Sequence, residues 1–70
     1  MYISYKKLWH ILLDKDLYKK DLIPLAGIND YNIKKLSKNQ SVSIEVLGKI
    51  STALGCTIDD IVDFKEEKED

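Results

Sequence analysis

Gly27 divides two short apolar patterns, and no other feature limits the fold of this chain as strongly. Before it, Leu22, Ile23 and Ala26 recur at the spacing of one helix face, and after it Ile33 and Leu36 do the same. Glycine takes a left-handed φ without a Cβ penalty, so it can end one helix and turn the chain into another. Ile28 then plugs the turn, Asn29 is a favourable N-cap, and Asp30 suits the positive end of the helix that follows. The stretch reads as a helix over Lys19–Ala26, a turn, and a helix from Asp30 to about Lys38. Pro24 allows two versions of the earlier helix. It is kinked there, at a cost of ~3 kcal/mol, or it starts late with Asp21 as its cap and Pro24 in the first turn. The spacing favours a start near Lys19 with distortion at Pro24.

The flanking chain supplies surfaces for this pair to rest on. Met1–Ile3 reads as an extended lead-in. Ser4 can cap a helix whose apolar positions Tyr5, Leu8, Trp9 and Leu12 fall on one stripe, widened by Ile11 and Leu13. Asp16 ends that helix in a turn or left-handed geometry. Ser43 caps a further helix carrying Val46, Leu47, Ile50, Ala53 and Leu54 on one face, closed by Gly55. Thr57 and Asp60 resemble a capping box that opens a short fifth helix with Ile58, Ile61 and Val62, and Phe64 ends the patterned region. The expected fold is all-α, a bundle of four or five helices around a central helix-turn-helix. Residues 1–64 form its one domain, and the acidic stretch 65–70 is a solvated tail.

Size and charge narrow the function. Seventy residues make one small domain that buries only about 60% of the surface its unfolded chain exposes. No apolar run approaches the roughly 20 residues of a membrane-spanning helix. The N-terminus enters a helical pattern without a cleavage site, so it is not read as a signal peptide. One cysteine allows no internal disulfide, and Cys56 with His10 cannot close a metal site, so a reducing cytoplasm is expected and no metal or cofactor. Residues 1–56 carry nine Lys against five acids, whereas residues 57–70 carry two Lys against seven. The basic part and the acidic end would therefore face different partners. All eleven basic residues are lysine, which binds as a point charge and lacks arginine's planar fork.

The helix pair is the strongest functional signal. Helix-turn-helix units lock two helices together with apolar contacts and lay the second in the DNA major groove. Leu22, Ala26, Ile28, Ile33 and Leu36 have the spacing for the lock. Tyr31, Asn32, Lys34, Lys35 and Lys38 are left to face outward.

Leu22, Gly27, Ile28, Ile33 and Leu36 resemble the helix-turn-helix signature of the Cro/repressor-like regulators of bacteria and phages. The likeness extends through VSIEVLGKISTALGCTIDDI (Val42–Ile61) and covers roughly residues 4–62. The chain departs from the family pattern at Ile23, where a small residue is common, at Pro24, and at Asp30, where a neutral or basic group is usual. The resemblance implies a sequence-specific transcriptional regulator, most simply a repressor, with double-stranded DNA as its partner. It places Asn29, Asp30, Tyr31, Asn32 and Lys35 at base edges. It places Lys19, Lys20, Lys34, Lys38, Gln40 and Ser41 at phosphates. Such regulators read two half-sites as pairs, and the apolar Ile61, Val62 and Phe64 are the expected homodimer surface.

Other candidates carry less. Cys56 and Trp9 read as core residues, and His10 as a surface residue. Asp59, Asp60 and Asp63 read as helix-start acids rather than a cation site. No nucleophile, base and orienting group come together, so an enzyme is not expected. A second reading remains open: the same fold serving as a protein-interaction module such as an antitoxin. The absence of arginine, Pro24 and Asp30 favour it, and the basic front of the helix pair opposes it.

Overall fold

The computed structural model describes residues 2–65 and contains four α-helices: α1 (Lys6–Asp14), α2 (Leu22–Ala26), α3 (Asp30–Ser37) and α4 (Ile44–Leu54). Their apolar stripes meet in one core of Tyr5, Leu8, Leu12, Leu22, Ile28, Ile33, Leu36, Leu47, Ile50, Leu54 and Ile61. Each fully buried member of this set contributes about 1.5–3 kcal/mol relative to exposure. The helix pair α2–turn–α3 is therefore held from beneath by Leu22, Ile28, Ile33 and Leu36. Ala26 and Ile23 pack against the same cluster from its edge.

All four helices stop in the same way. Asp16, Gly27, Asn39 and Gly55 take φ values of 58°, 71°, 57° and 71°. The N–H of the next residue then returns to a carbonyl five positions back: Leu17 to Leu12, Ile28 to Ile23, Gln40 to Lys35 and Cys56 to Ser51, at 2.8–3.2 Å. This satisfies carbonyls that a helix end otherwise leaves orphaned. Glycine fills the left-handed position at two of the four sites, and Asp and Asn tolerate it at the others. Asp16 and both glycines are legible as stops. Asn39 is not, because it lies in what reads as a plain linker.

The N-terminal ends are built from side-chain caps. Asn29 Oδ1 accepts the Asn32 N–H at 2.9 Å, and Ser43 Oγ accepts the Val46 N–H at 3.2 Å. At α1 the cap position falls on Tyr5, and Ser4 Oγ instead accepts the Lys6 N–H at 3.3 Å. Pro24 is accommodated by a change of helix type. Lys19–Asp21 form a 3-10 turn opened by Asp21 Oδ2 accepting the Tyr18 N–H at 2.8 Å, and the α-geometry begins only at Leu22. Pro24 thus lies in the first α-turn, where its missing N–H has no intrahelical use. Both sequence readings are part of this outcome: the helical path starts at Lys19, and Asp21 stands at the α-helical N-terminus.

Four expectations are corrected by the structure. The lead-in and the end of the patterned region pair as antiparallel strands, β1 (Tyr2–Ser4) with β2 (Asp63–Lys65), placing Ile3 opposite Phe64. Lys65 pairs with Tyr2 in this ribbon; residues 66–70 lie outside the described part. The fifth helix is a single 3-10 turn, Ile58–Asp60. Ile61 is 0% exposed in the core and so cannot form part of a pairing surface. Leu13, read as widening the α1 stripe, is 73% exposed, because a helix face this narrow turns it outward.

Candidate nucleic-acid interface

The outward face of α3 begins at its cap. Asn29 spends its side-chain oxygen on the Asn32 N–H, which leaves the carboxamide NH2 free to donate. Tyr31 is 64% exposed, so its ring is not a packing element of the core. The 3.6-residue repeat sets residues four apart side by side, and two such pairs stand on this helix. Lys34 Nζ lies 3.5 Å from Asp30 Oδ2, and Lys35 Nζ lies 5.1 Å from the centroid of the Tyr31 ring. The first pair is well exposed on both sides and is worth only about 0.3–0.5 kcal/mol. Its more important effect is on charge, since Lys34 offsets the acid that would repel phosphates. The second pair holds the Lys35 ammonium over an aromatic face without an acidic partner among the described residues.

The phosphate-facing candidates divide into free and engaged groups. Among the described residues, Lys20 and Lys38 form no ion pair and are exposed, whereas Lys34 is paired with Asp30. Lys19 is engaged twice. Its Nζ sits 4.3 Å from the Trp9 ring centroid and donates to Ser37 Oγ at 3.3 Å, so it links α1 to the end of α3. An ammonium has three donors, and those not used remain available to a phosphate. Asn32 is half-buried, and Gln40 and Ser41 are exposed in the segment after α3.

That segment is held by a residue the sequence reading placed only in the core. Tyr5 is fully buried, its backbone N–H donates to Asn39 Oδ1 at 3.3 Å, and its hydroxyl donates to the Gln40 carbonyl at 2.8 Å. Burial raises the phenol pKa above its ordinary value, offset in part by a backbone hydrogen bond from Val42. One residue at the start of α1 thus holds the turn that carries Gln40 and Ser41, through its backbone N–H and its hydroxyl. Its partners are 34 and 35 residues away, and no local spacing signals such a bond.

The remaining polar candidates have structural roles. Asp60 Oδ2 accepts from both the N–H and the hydroxyl of Thr57, at 3.1 and 3.0 Å, and these bonds lower its pKa. Cys56 is half-buried, and desolvation raises its thiol pKa, which disfavours the reactive thiolate. Phe64, at 61% exposure, and half-buried Val62 remain from the expected pairing surface.

Comparison with known proteins places the chain in a family. The model of the Cro/C1-type HTH DNA-binding domain matches residues 7–67, and the chain belongs to that family. The fold is similar to the crystal structure of the transcriptional regulator VanUg, form II. The TM-score is 0.83 at 39% identity, with 89% of this chain and 83% of that one covered. Among curated proteins no sequence match is found. Family and structural likeness together define a DNA-binding transcriptional regulator.

Proposed function

We propose that this regulator lays α3 in the major groove and reads sequence there. Asn29, Asp30, Tyr31, Asn32 and Lys35 are the base-reading set. Lys19, Lys20, Lys34, Lys38, Gln40 and Ser41 are the phosphate-positioning set. The observation that carries the reading is the outward face of α3, with an exposed Tyr31 and a lysine held on its ring; Lys20 of the 3-10 turn and Lys38 at the end of α3 flank it, neither in an ion pair among the described residues. Phosphate contacts fix register and orientation, and base-edge contacts carry the sequence information. Asp30 accepts from a base amino group, cytosine N4 above all and adenine N6, and is repelled by the acceptor edges of guanine and thymine, which makes it a discriminating residue of the set.

Residues 1–65 act as the DNA-binding domain. The proposed homodimer pairs through Phe64 and Val62, so that two α3 helices meet half-sites about one DNA turn apart. Repression by occluding a promoter requires no further machinery, and the cytoplasm is the compartment in which it would operate. A second reading, a protein partner in place of DNA, draws on Leu13 and Tyr18, which are 73% and 78% exposed beside the half-buried Trp9.

Triple substitution of Lys34, Lys35 and Lys38 by Ala tests the leading reading by fluorescence anisotropy on duplex DNA across a salt series. Each lost phosphate contact should flatten the slope of log K against log salt by about 0.9, while circular dichroism stays unchanged. An unaltered slope and affinity would move the interface away from α3.

A further inference from the structure

A groove lies away from the helix pair, and its lining combines charge and hydrocarbon in a way DNA binding does not use. Its floor is Ile11, Leu54 and Cys56, all half-buried or buried. Lys6, Lys7 and His10 of α1, with Lys15 just beyond its end, form one wall. Asp60 and the ribbon residues Ser4, Asp63 and Lys65 form the other. The volume is about 620 Å³, inside the 300–1,000 Å³ range of small-molecule sites. None of the lining residues comes from the Lys19–Asp21 turn, α2 or α3.

The charges of the groove are unequal. Lys65 Nζ pairs with Asp63 Oδ2 at 3.6 Å, Lys7 Nζ donates to the Asp59 carbonyl at 3.3 Å, and Asp60 is committed to Thr57. Lys6 and Lys15 have no ion pair among the described residues, and both are exposed at the rim. Two ammonium groups without an ion pair, one at each end of α1, flank the apolar floor and make the groove attractive to a negative group on a hydrocarbon body. The lysine stems extend the apolar surface while their heads stay in water. Two carboxylates on the far wall disfavour a ligand with several negative charges, such as a polyphosphate.

We propose that this groove is a binding site for a small amphiphilic monoanion, an organic carboxylate with an apolar body of several carbons, drawn in by the ammonium groups of Lys6 and Lys15 at the two ends of its α1 wall. The site is independent of the DNA-contact reading. It touches the protein's regulatory parts at one point: Ser4 in its wall adjoins Tyr5, which holds the segment carrying Gln40 and Ser41.

Octanoate is the probe, followed by 1H–15N correlation spectra of the full chain. Octan-1-ol tests the body without the charge, and inorganic phosphate tests charge without the body. Saturable octanoate shifts confined to residues 4–15 and 54–65 are expected, with both controls weaker by roughly tenfold or more, about 1.4 kcal/mol. Lys6→Ala with Lys15→Ala should weaken octanoate by a similar factor and leave the rest of the spectrum in place. Alkylation of Cys56 by iodoacetamide should slow when octanoate is present. Absence of shifts at millimolar octanoate, equal affinity for the alcohol, shifts centred elsewhere, or unchanged binding by the double variant would each overturn the proposal.

Discussion

Replacing Tyr5 with Phe removes one oxygen from a fully buried side chain and leaves its ring in place. The oxygen lost is the donor to the Gln40 carbonyl at 2.8 Å. A typical hydrogen bond of this kind contributes about 0.5–1.5 kcal/mol net, and a stranded carbonyl costs about 1–3 kcal/mol if water is kept out. Gln40 is an exposed residue, so water can reach its carbonyl and the lower range applies, about 1 kcal/mol. For a domain of this size that lowers the melting temperature by about 4–8 °C. Tyr5→Ala would be a poorer test, because emptying an aromatic site costs about 3–5 kcal/mol whatever the hydroxyl does. The second consequence concerns DNA. With only the Tyr5 N–H to Asn39 bond left, Gln40 and Ser41 are less well held, and affinity should fall although no proposed contact residue has changed. The third concerns pH. Burial raises the folded-state pKa of this phenol above its ordinary 10.0, so the stabilisation it brings is present below pH 10 and is lost as pH rises through the folded value. The variant should therefore show a shallower alkaline decline. Thermal melts between pH 7 and the alkaline limb, with anisotropy on duplex DNA, measure all three. A Tyr5→Phe protein equal to wild type in melting, alkaline decline and DNA affinity would refute the tether.

Two other perturbations probe the frame. Gly27→Ala places a Cβ where nothing lies within 4 Å, but at φ +71°, so only the left-handed backbone is penalised, by about 1–2 kcal/mol in urea denaturation; no loss would mean that the turn relaxes. Asp60→Asn removes a carboxylate whose pKa is held below the ordinary 3.8, chiefly by its bonds to Thr57. Its contribution is present above pH 3.8 and lost as pH falls through the depressed value. The variant should be less stable at neutral pH and converge on wild type in acid melts; a constant difference down to pH 2 would contradict the cap.

Local rules made much of the frame legible. Apolar spacing identified the lock of Leu22, Ile28, Ile33 and Leu36, and side-chain chemistry identified the caps at Asn29 and Ser43. What was not legible depends on partners far away in the chain. Tyr2–Ser4 is too short to show strand alternation and becomes a strand only because Asp63–Lys65 lies beside it. Ile61 reads as an end residue and instead joins the buried core cluster just after the 3-10 turn. The candidate interface divides similarly. Asp30–Lys34 and Tyr31–Lys35 follow from i,i+4 spacing. The Trp9–Lys19–Ser37 link and the Tyr5 tether need the tertiary fold.

The central claim is that α3, presented after Gly27, reads DNA sequence. Selection of bound fragments from randomised duplex DNA by the unmodified protein tests it most directly. The account predicts enrichment of a defined half-site, recovered as two copies spaced about one helical turn apart, with the preference at one position relaxed by Asp30→Asn. Recovery of a pool no different from the input, at low salt, would contradict it.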